Sequence, residues 1–199
     1  MIRKAIPIML TACLLGACGH SAPTHLLTLD IASPAAPGGT YTGPPLRLTA
    51  VQIPPAIDRL EFASAVSATE LRLQDQYRWS ASLGSLARGV LLRDLAARLP
   101  EGSLLPPDSP AGKDEAGRGT RRADVAILAL NTGVVSTSME VMVTVTIDGS
   151  PRVLRRRYVF RRDHAPGQTP AQAASDYSSM LGDVADAIRD QAVQLGSAA

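Results

Sequence analysis

The sequence predicts an α+β domain, a mainly antiparallel sheet with two helices packed on one face. Three observations carry this. Met139, Val141, Val143, Val145 and Ile147 alternate strictly with Glu140, Met142, Thr144, Thr146 and Asp148, the period of a strand with one buried face. Asp148-Gly149 supplies the positive-φ chemistry of a tight hairpin, and a second strand-like run returns over residues 152–162. Residues 83–99 and 177–195 instead repeat apolar side chains every three or four positions, as an amphipathic helix does.

From the start of the chain, Arg3 and Lys4 precede an apolar run over residues 5–15, and Leu15-Gly16-Ala17-Cys18 follows. Basic start, short apolar core and small residues are the parts of a secretory signal. The run is shorter than the ~20 residues a membrane-spanning helix needs. A cysteine directly after Leu-Gly-Ala resembles the lipobox of bacterial lipoproteins. That resemblance implies cleavage before Cys18, a diacylglycerol on its thiol and attachment to a membrane through the acylated residue. The organisation is then a signal peptide at 1–17, a lipidated tether at 18–24 and a single periplasmic domain at 25–199. Gly19 in place of aspartate favours the outer membrane of a Gram-negative envelope.

Removing the signal changes the charge. The precursor's net +2 rests on Arg3 and Lys4, so the mature side chains sum to zero. No basic field remains to steer nucleic acid. Cys13 leaves with the signal and Cys18 is acylated, so no disulfide or thiolate site is expected.

Within the domain, residues 25–31 read as a first strand. The proline- and glycine-rich stretch 33–45 reads as a loop. Residues 46–53 read as a second strand, stopped by Pro54-Pro55. Ile57-Asp58-Arg59 forms a tight connection to two short strands, 60–66 and 71–76. Ser80 or Ser82 is placed to cap the first helix, whose apolar stripe is Leu83, Leu86, Ala87, Val90, Leu91, Leu95 and Leu99. Arg88, Arg93 and Arg98 are assigned to its wetter side, and Pro100 ends it. Residues 106–122 have almost no apolar content and read as a mobile loop. A buried strand follows at 124–130. The last helix opens at Thr169-Pro170, threonine as cap and proline in the first turn.

The hairpin register has a consequence. A two- or four-residue turn puts Leu154, Tyr158 and Phe160 on the valine face of 139–147. Arg155, Arg157 and Arg161 fall on the other face with Glu140, Thr144 and Thr146. Arg156 lands on the apolar side and must lie near its margin. The three outward arginines suit two roles. They protect a sheet from edge pairing, or they meet an anionic partner such as a lipid headgroup or an acidic protein.

Catalytic signatures are missing. His20, His25 and His164 are the only histidines, and two lie close to the tether. No His/Cys cluster has metal-ligand spacing, and no nucleophile elbow or phosphate-binding glycine loop occurs. Asp183, Asp186 and Asp190 read as a solvated helix face. The expectation is a protein that is not an enzyme and carries neither cofactor nor metal.

The stretch from Gln52 to Leu99 carries a resemblance. Pro54-Pro55, Ile57-Asp58-Arg59, two short strands, Arg78-Trp79 and a helix with internal arginines resemble the PqiC/YmbA family of ABC-type transport auxiliary lipoproteins. The family usually opens on a Tyr-Tyr-x-Leu-like strand, where this chain has His25-Leu26-Leu27-Thr28-Leu29. The resemblance implies an outer-membrane lipoprotein that works in the periplasm beside an MCE-domain protein, moving lipid or other hydrophobic molecules. A homo-oligomer matching a ring-forming partner is compatible with this. Asp58, Arg59, Arg78 and Trp79 are the family-like positions. The expected roles are an ion pair or turn clamp at Asp58-Arg59 and a packing plug at Trp79, with direct partner contact as the alternative. Two other functions stay open, a periplasmic lipid carrier and an outer-membrane assembly lipoprotein.

Overall fold

The computed structural model describes residues 23–32, 41, 43–67, 69–110, 112–113 and 117–197. The signal segment, Cys18 and most of the tether lie outside the described residues. The elements run β1 (His25–Leu27), β2 (Leu46–Gln52), β3 (Glu61–Ala65), β4 (Leu71–Trp79), α1 (Leu83–Arg98), β5 (Leu104–Leu105), β6 (Arg121–Thr132), β7 (Ser136–Ile147), β8 (Val153–Asp163) and α2 (Pro170–Ser197).

The class is α+β, as the alternation and the two helical stripes predict. The strands form two sheets rather than one, ordered β5-β2-β6-β7-β8 and β1-β4-β3, and their pairing is mixed. β6, β7 and β8 are antiparallel neighbours, as are β3 and β4. β2 runs parallel to β5 and β6, and β1 parallel to β4. The cause is the connection. Strands joined by a short turn come back antiparallel, whereas α1 lies between β2 and β6 and returns the chain parallel.

Register in the β7–β8 hairpin is the predicted one. Met139 faces Phe160, Val141 faces Tyr158 and Val145 faces Leu154. Arg156 stands opposite Val143 but is exposed, because β8 is the last strand of its sheet. Gly149 turns the hairpin at φ 75°, a value glycine adopts without a Cβ penalty.

Both helices cover the same face of the five-stranded sheet. Leu91 and Leu95 of α1, and Met180, Leu181, Val184 and Ile188 of α2, are fully buried over Leu48, Val141, Val143 and Val145. α1 is capped by Ser82, whose hydroxyl accepts from Ser85 N–H at 3.3 Å. α2 opens on a capping box. Thr169 Oγ1 accepts from Gln172 N–H at 3.3 Å, and Gln172 Oε1 accepts from Thr169 N–H at 2.8 Å.

Three sequence assignments move. β4 extends through Tyr77-Arg78-Trp79, which had read as the approach to the helix. β6 begins at Arg121, so the polar stretch 106–122 ends in a strand; within it Thr120 donates its N–H to Gly112 at 2.9 Å. Arg98 belongs to the interior. It pairs with Asp94 one turn earlier at 3.0 Å and with Asp186 of α2 at 3.1 Å.

Candidate functional site

The family-like positions converge at the corner where the small sheet meets α1. Pro54-Pro55 ends β2, and Pro54 O accepts from the N–H groups of Ile57 and Asp58 in a tight turn. That turn aims Asp58 at the start of α1, where Oδ1 accepts from Gly84 N–H at 3.0 Å. Two orphan donors of the first helical turn are therefore satisfied, one by Ser82 and one from 26 residues upstream. A carboxylate also complements the positive end of the helix dipole. The bond Asp58 makes is to the helix start, where the sequence suggests Arg59 as its partner. Arg59 lies beside Glu61 on the same corner, and its Nε has no acceptor.

Arg78 and Glu61 face each other across β3 and β4, with Nη2 and Oε1 2.8 Å apart. That hydrogen bond holds the Glu61 carboxyl below its ordinary range. The pair is solvent-exposed, where such contacts add little stability. Trp79 points the other way and is 5% exposed. Its ring lies 5.9 Å from Phe62 and 6.5 Å from Tyr177. The Tyr177 hydroxyl reaches Thr132 at 2.8 Å, and burial pushes its phenol up to about 12. Trp79 thus ties β4 to α2, while Tyr177 ties α2 to β6.

Exposed apolar side chains stand among the charged ones around this corner. Leu60, Val66, Leu71 and Leu73 are exposed on or beside the β3–β4 hairpin, and Val134 and Val135 on the β6–β7 turn. The cavity among Ile57, Phe62, Leu71, Trp79, Leu83 and Tyr177 measures about 40 Å³. Ligand pockets run to about 300 Å³ or more, so this space does not hold a lipid. The core beside Trp79 is closely filled.

The three arginines of β8 lie on the open face of the large sheet. Arg157 pairs with Glu140 at 2.8 Å, which raises its guanidinium above its ordinary value, and Arg161 pairs with Asp163 at 2.7 Å. Arg155 stands exposed opposite Thr144. They are not brought to the Asp58–Trp79 corner. Among the described residues no group of three histidine, cysteine or acidic side chains is arranged to hold a metal. No helix among them is long and apolar enough to cross a membrane.

Sequence reasoning missed two sets of buried charges. Asp94 is fully buried, accepts from Arg98 and from Ala32 N–H at 3.1 Å, and has its carboxyl raised by burial against the opposing pull of Arg98. A signal was present, since Asp94 falls three residues after Leu91 on the buried stripe. Arg47 was missed because it reads as the polar neighbour of Leu46 and Leu48, and Arg121 because it continues the polar run before it.

A family model described as the ABC-type transport auxiliary lipoprotein component matches residues 25–189. No curated protein matches the chain. Among solved structures, an uncharacterized protein superposes with a TM-score of 0.65 at 11% identity, covering 85% of this chain and 99% of its own. A Xanthomonas campestris protein of the DUF330 family superposes with a TM-score of 0.63 at 12% identity, covering 87% and 96%. At such identities the two structures bear on the fold alone.

Proposed function

Because the chain belongs to the ABC-type transport auxiliary lipoprotein family, we propose that it is the outer-membrane-anchored auxiliary subunit of an MCE-type transport system for lipid or other hydrophobic molecules. In this reading Cys18 carries the acyl chains and the domain binds the MCE protein in the periplasm. It performs no catalysis. The family match over residues 25–189 carries the proposal.

The local geometry supports it. β1 starts seven positions after Cys18, and an extended chain spans at most ~3.6 Å per residue. The domain would therefore stay within about 25 Å of the membrane surface. Each buried acyl methylene contributes about 0.8 kcal/mol, so two or more chains give a stable anchor. The small volume beside Trp79 favours a binding partner over a carrier that encloses its cargo there. The exposed apolar corner of Leu60, Leu71, Leu73 and Val134 is the surface such a partner would cover.

The test is crosslinking and capture on native membranes with the acylated protein and a Cys18→Ala control. Recovery of an MCE protein with the wild type, reduced in the control, is the expected result. Recovery of outer-membrane assembly proteins alone, or of nothing, would replace this reading with the assembly or carrier function. Metabolic labelling with a palmitate analogue checks the anchor and should be lost in Cys18→Ala.

A further inference from the structure

One arginine stands on the core face of the large sheet. Arg121, Ala123, Val125 and Ile127 occupy the same face of β6, and the last three are buried beneath the helices. Arg121 is itself only 4% exposed. Its side chain runs under the last turn of α2. Its Nη1 donates to Tyr41 Oη at 3.3 Å, and its carbon Cζ lies 5.9 Å from the centroid of that ring. Its Nε has no acceptor among the described residues.

The other two buried arginines differ. Arg47 meets Asp148 at 3.5 Å, and Arg98 meets Asp94 and Asp186. Arg121 meets no carboxylate among the described residues. Burial raises the Tyr41 phenol above its ordinary value, so it stays neutral and supplies no counter-charge. The C-terminal end of α2 supplies only the fractional charge of a helix dipole. An uncompensated charge at this depth is costly, and buried charges are as a rule paired.

The sequence makes room for this arginine. A Cβ at Gly43 or at Gly196 would collide with its guanidinium. The guanidinium forms one wall of a cavity of about 440 Å³. Arg118 and Arg152 line the same cavity, and Ile147, Val193 and Leu195 give it an apolar side. Guanidinium groups match phosphate oxygens in a planar, two-point geometry. The volume falls in the range of small-molecule sites.

We propose that this cavity binds an oxyanion of the phosphate class, free or as the headgroup of an anionic lipid, with Arg121 as its principal ligand. The inference does not depend on the transporter assignment, since it rests on a buried cation that meets no carboxylate among the described residues and on the cavity it faces.

The experiment is an unfolding titration of the full mature lipoprotein in neutral detergent at fixed ionic strength. Inorganic phosphate is one probe. Mixed micelles containing phosphatidylglycerol or phosphatidylcholine are the others. A saturable rise in the wild-type midpoint is expected. Arg121→Gln should weaken binding about tenfold or more, as loss of a charge-assisted hydrogen bond does. A rise with phosphate alone identifies a free oxyanion. A rise with phosphatidylglycerol but not phosphatidylcholine identifies a lipid headgroup. No response to any probe, or an equal response in Arg121→Gln, overturns the proposal. If that variant does not fold, the wild-type Arg121 Nε–H resonance decides: it should shift with the probe, and an unmoved resonance at saturating probe overturns the site.

Discussion

Replacing Asp58 by alanine tests whether the family-like corner is architectural. The carboxylate accepts one N–H from the first turn of α1 at 3.0 Å. Loss of such a cap costs about 1 kcal/mol. Loss of the negative charge at the helix N-terminus adds about 0.5 kcal/mol. The sum for Asp58→Ala is about 1.5 kcal/mol, and Asp58→Asn, which keeps an acceptor, should lose only about 0.5 kcal/mol. For a domain of this size 1 kcal/mol moves the thermal midpoint by about 2–4 °C. Asp58→Ala should therefore unfold about 3–6 °C below the wild type, and Asp58→Asn about 1–2 °C below. Scanning fluorimetry of the mature lipoprotein in neutral micelles measures this, with Ser82→Ala as the reference cap variant. Capture of the transporter partner by Asp58→Ala should equal that of the wild type at temperatures where both are folded. An unchanged midpoint with lost capture would refute the architectural role and make Asp58 a contact residue.

Other predictions follow from the same core. Trp79→Ala, which empties the space between Phe62 and Tyr177, should cost ~3–5 kcal/mol in urea unfolding. Tyr177→Phe leaves the Thr132 hydroxyl without its partner and should cost about 1 kcal/mol at neutral pH. The phenol titrates at 10.0 when unfolded and about 12 when folded, so the wild type should lose stability relative to Tyr177→Phe as pH rises through that window. Alkaline difference spectra and unfolding curves would show it. Burial raises the Asp94 carboxyl above 3.8, so the folded state takes up the proton more readily there than the unfolded state. Stability of the wild type relative to Asp94→Asn should therefore rise as pH falls toward 3.8, and a flat difference would contradict the assignment.

Legibility in the sequence followed the range over which each signal acts. The faces and register of the β7–β8 hairpin were readable, because alternation and Asp148-Gly149 fix them locally, while its strand ends were not. The caps of both helices were readable for the same reason, since Ser82 and Thr169 act within three residues. The parallel pairing of β2 with β6 was not, because α1 and a long polar stretch intervene and nothing in 46–53 specifies its neighbour. Arg121 was lost to the loop because Arg121-Arg122 continues the polar run before it, although the same parity joins it to Ala123, Val125 and Ile127. Asp58 was singled out, but its donor lies on another element and no spacing rule reaches it. Trp79 read as packing, and its ring does join Phe62 to Tyr177.

The buried charges add a constraint that the apolar faces lack. Apolar contacts are non-directional and select a helix position only through shape. A one-turn slip of α1 against α2 would take Arg98 away from Asp186, leaving a charge in the core without the second of its two partners. Arg98 keeps Asp94 after such a slip, so the loss falls below the ~3–5 kcal/mol of a buried charge left wholly unpaired, yet it counts against the ~5–15 kcal/mol that holds a typical domain together. Arg47 acts in the same way at the opposite side of the sheet. It joins β2 to Ser109 and to Asp148, which Arg122 also reaches at 3.0 Å. The two Arg47 links connect segments 62 and 101 residues apart, the contacts that hydrophobic periodicity leaves unspecified. Arg121 makes no such link to a carboxylate among the described residues. Its guanidinium ties β6 to Tyr41, a neutral phenol that supplies no charge, and a bound anion is the partner that would complete it.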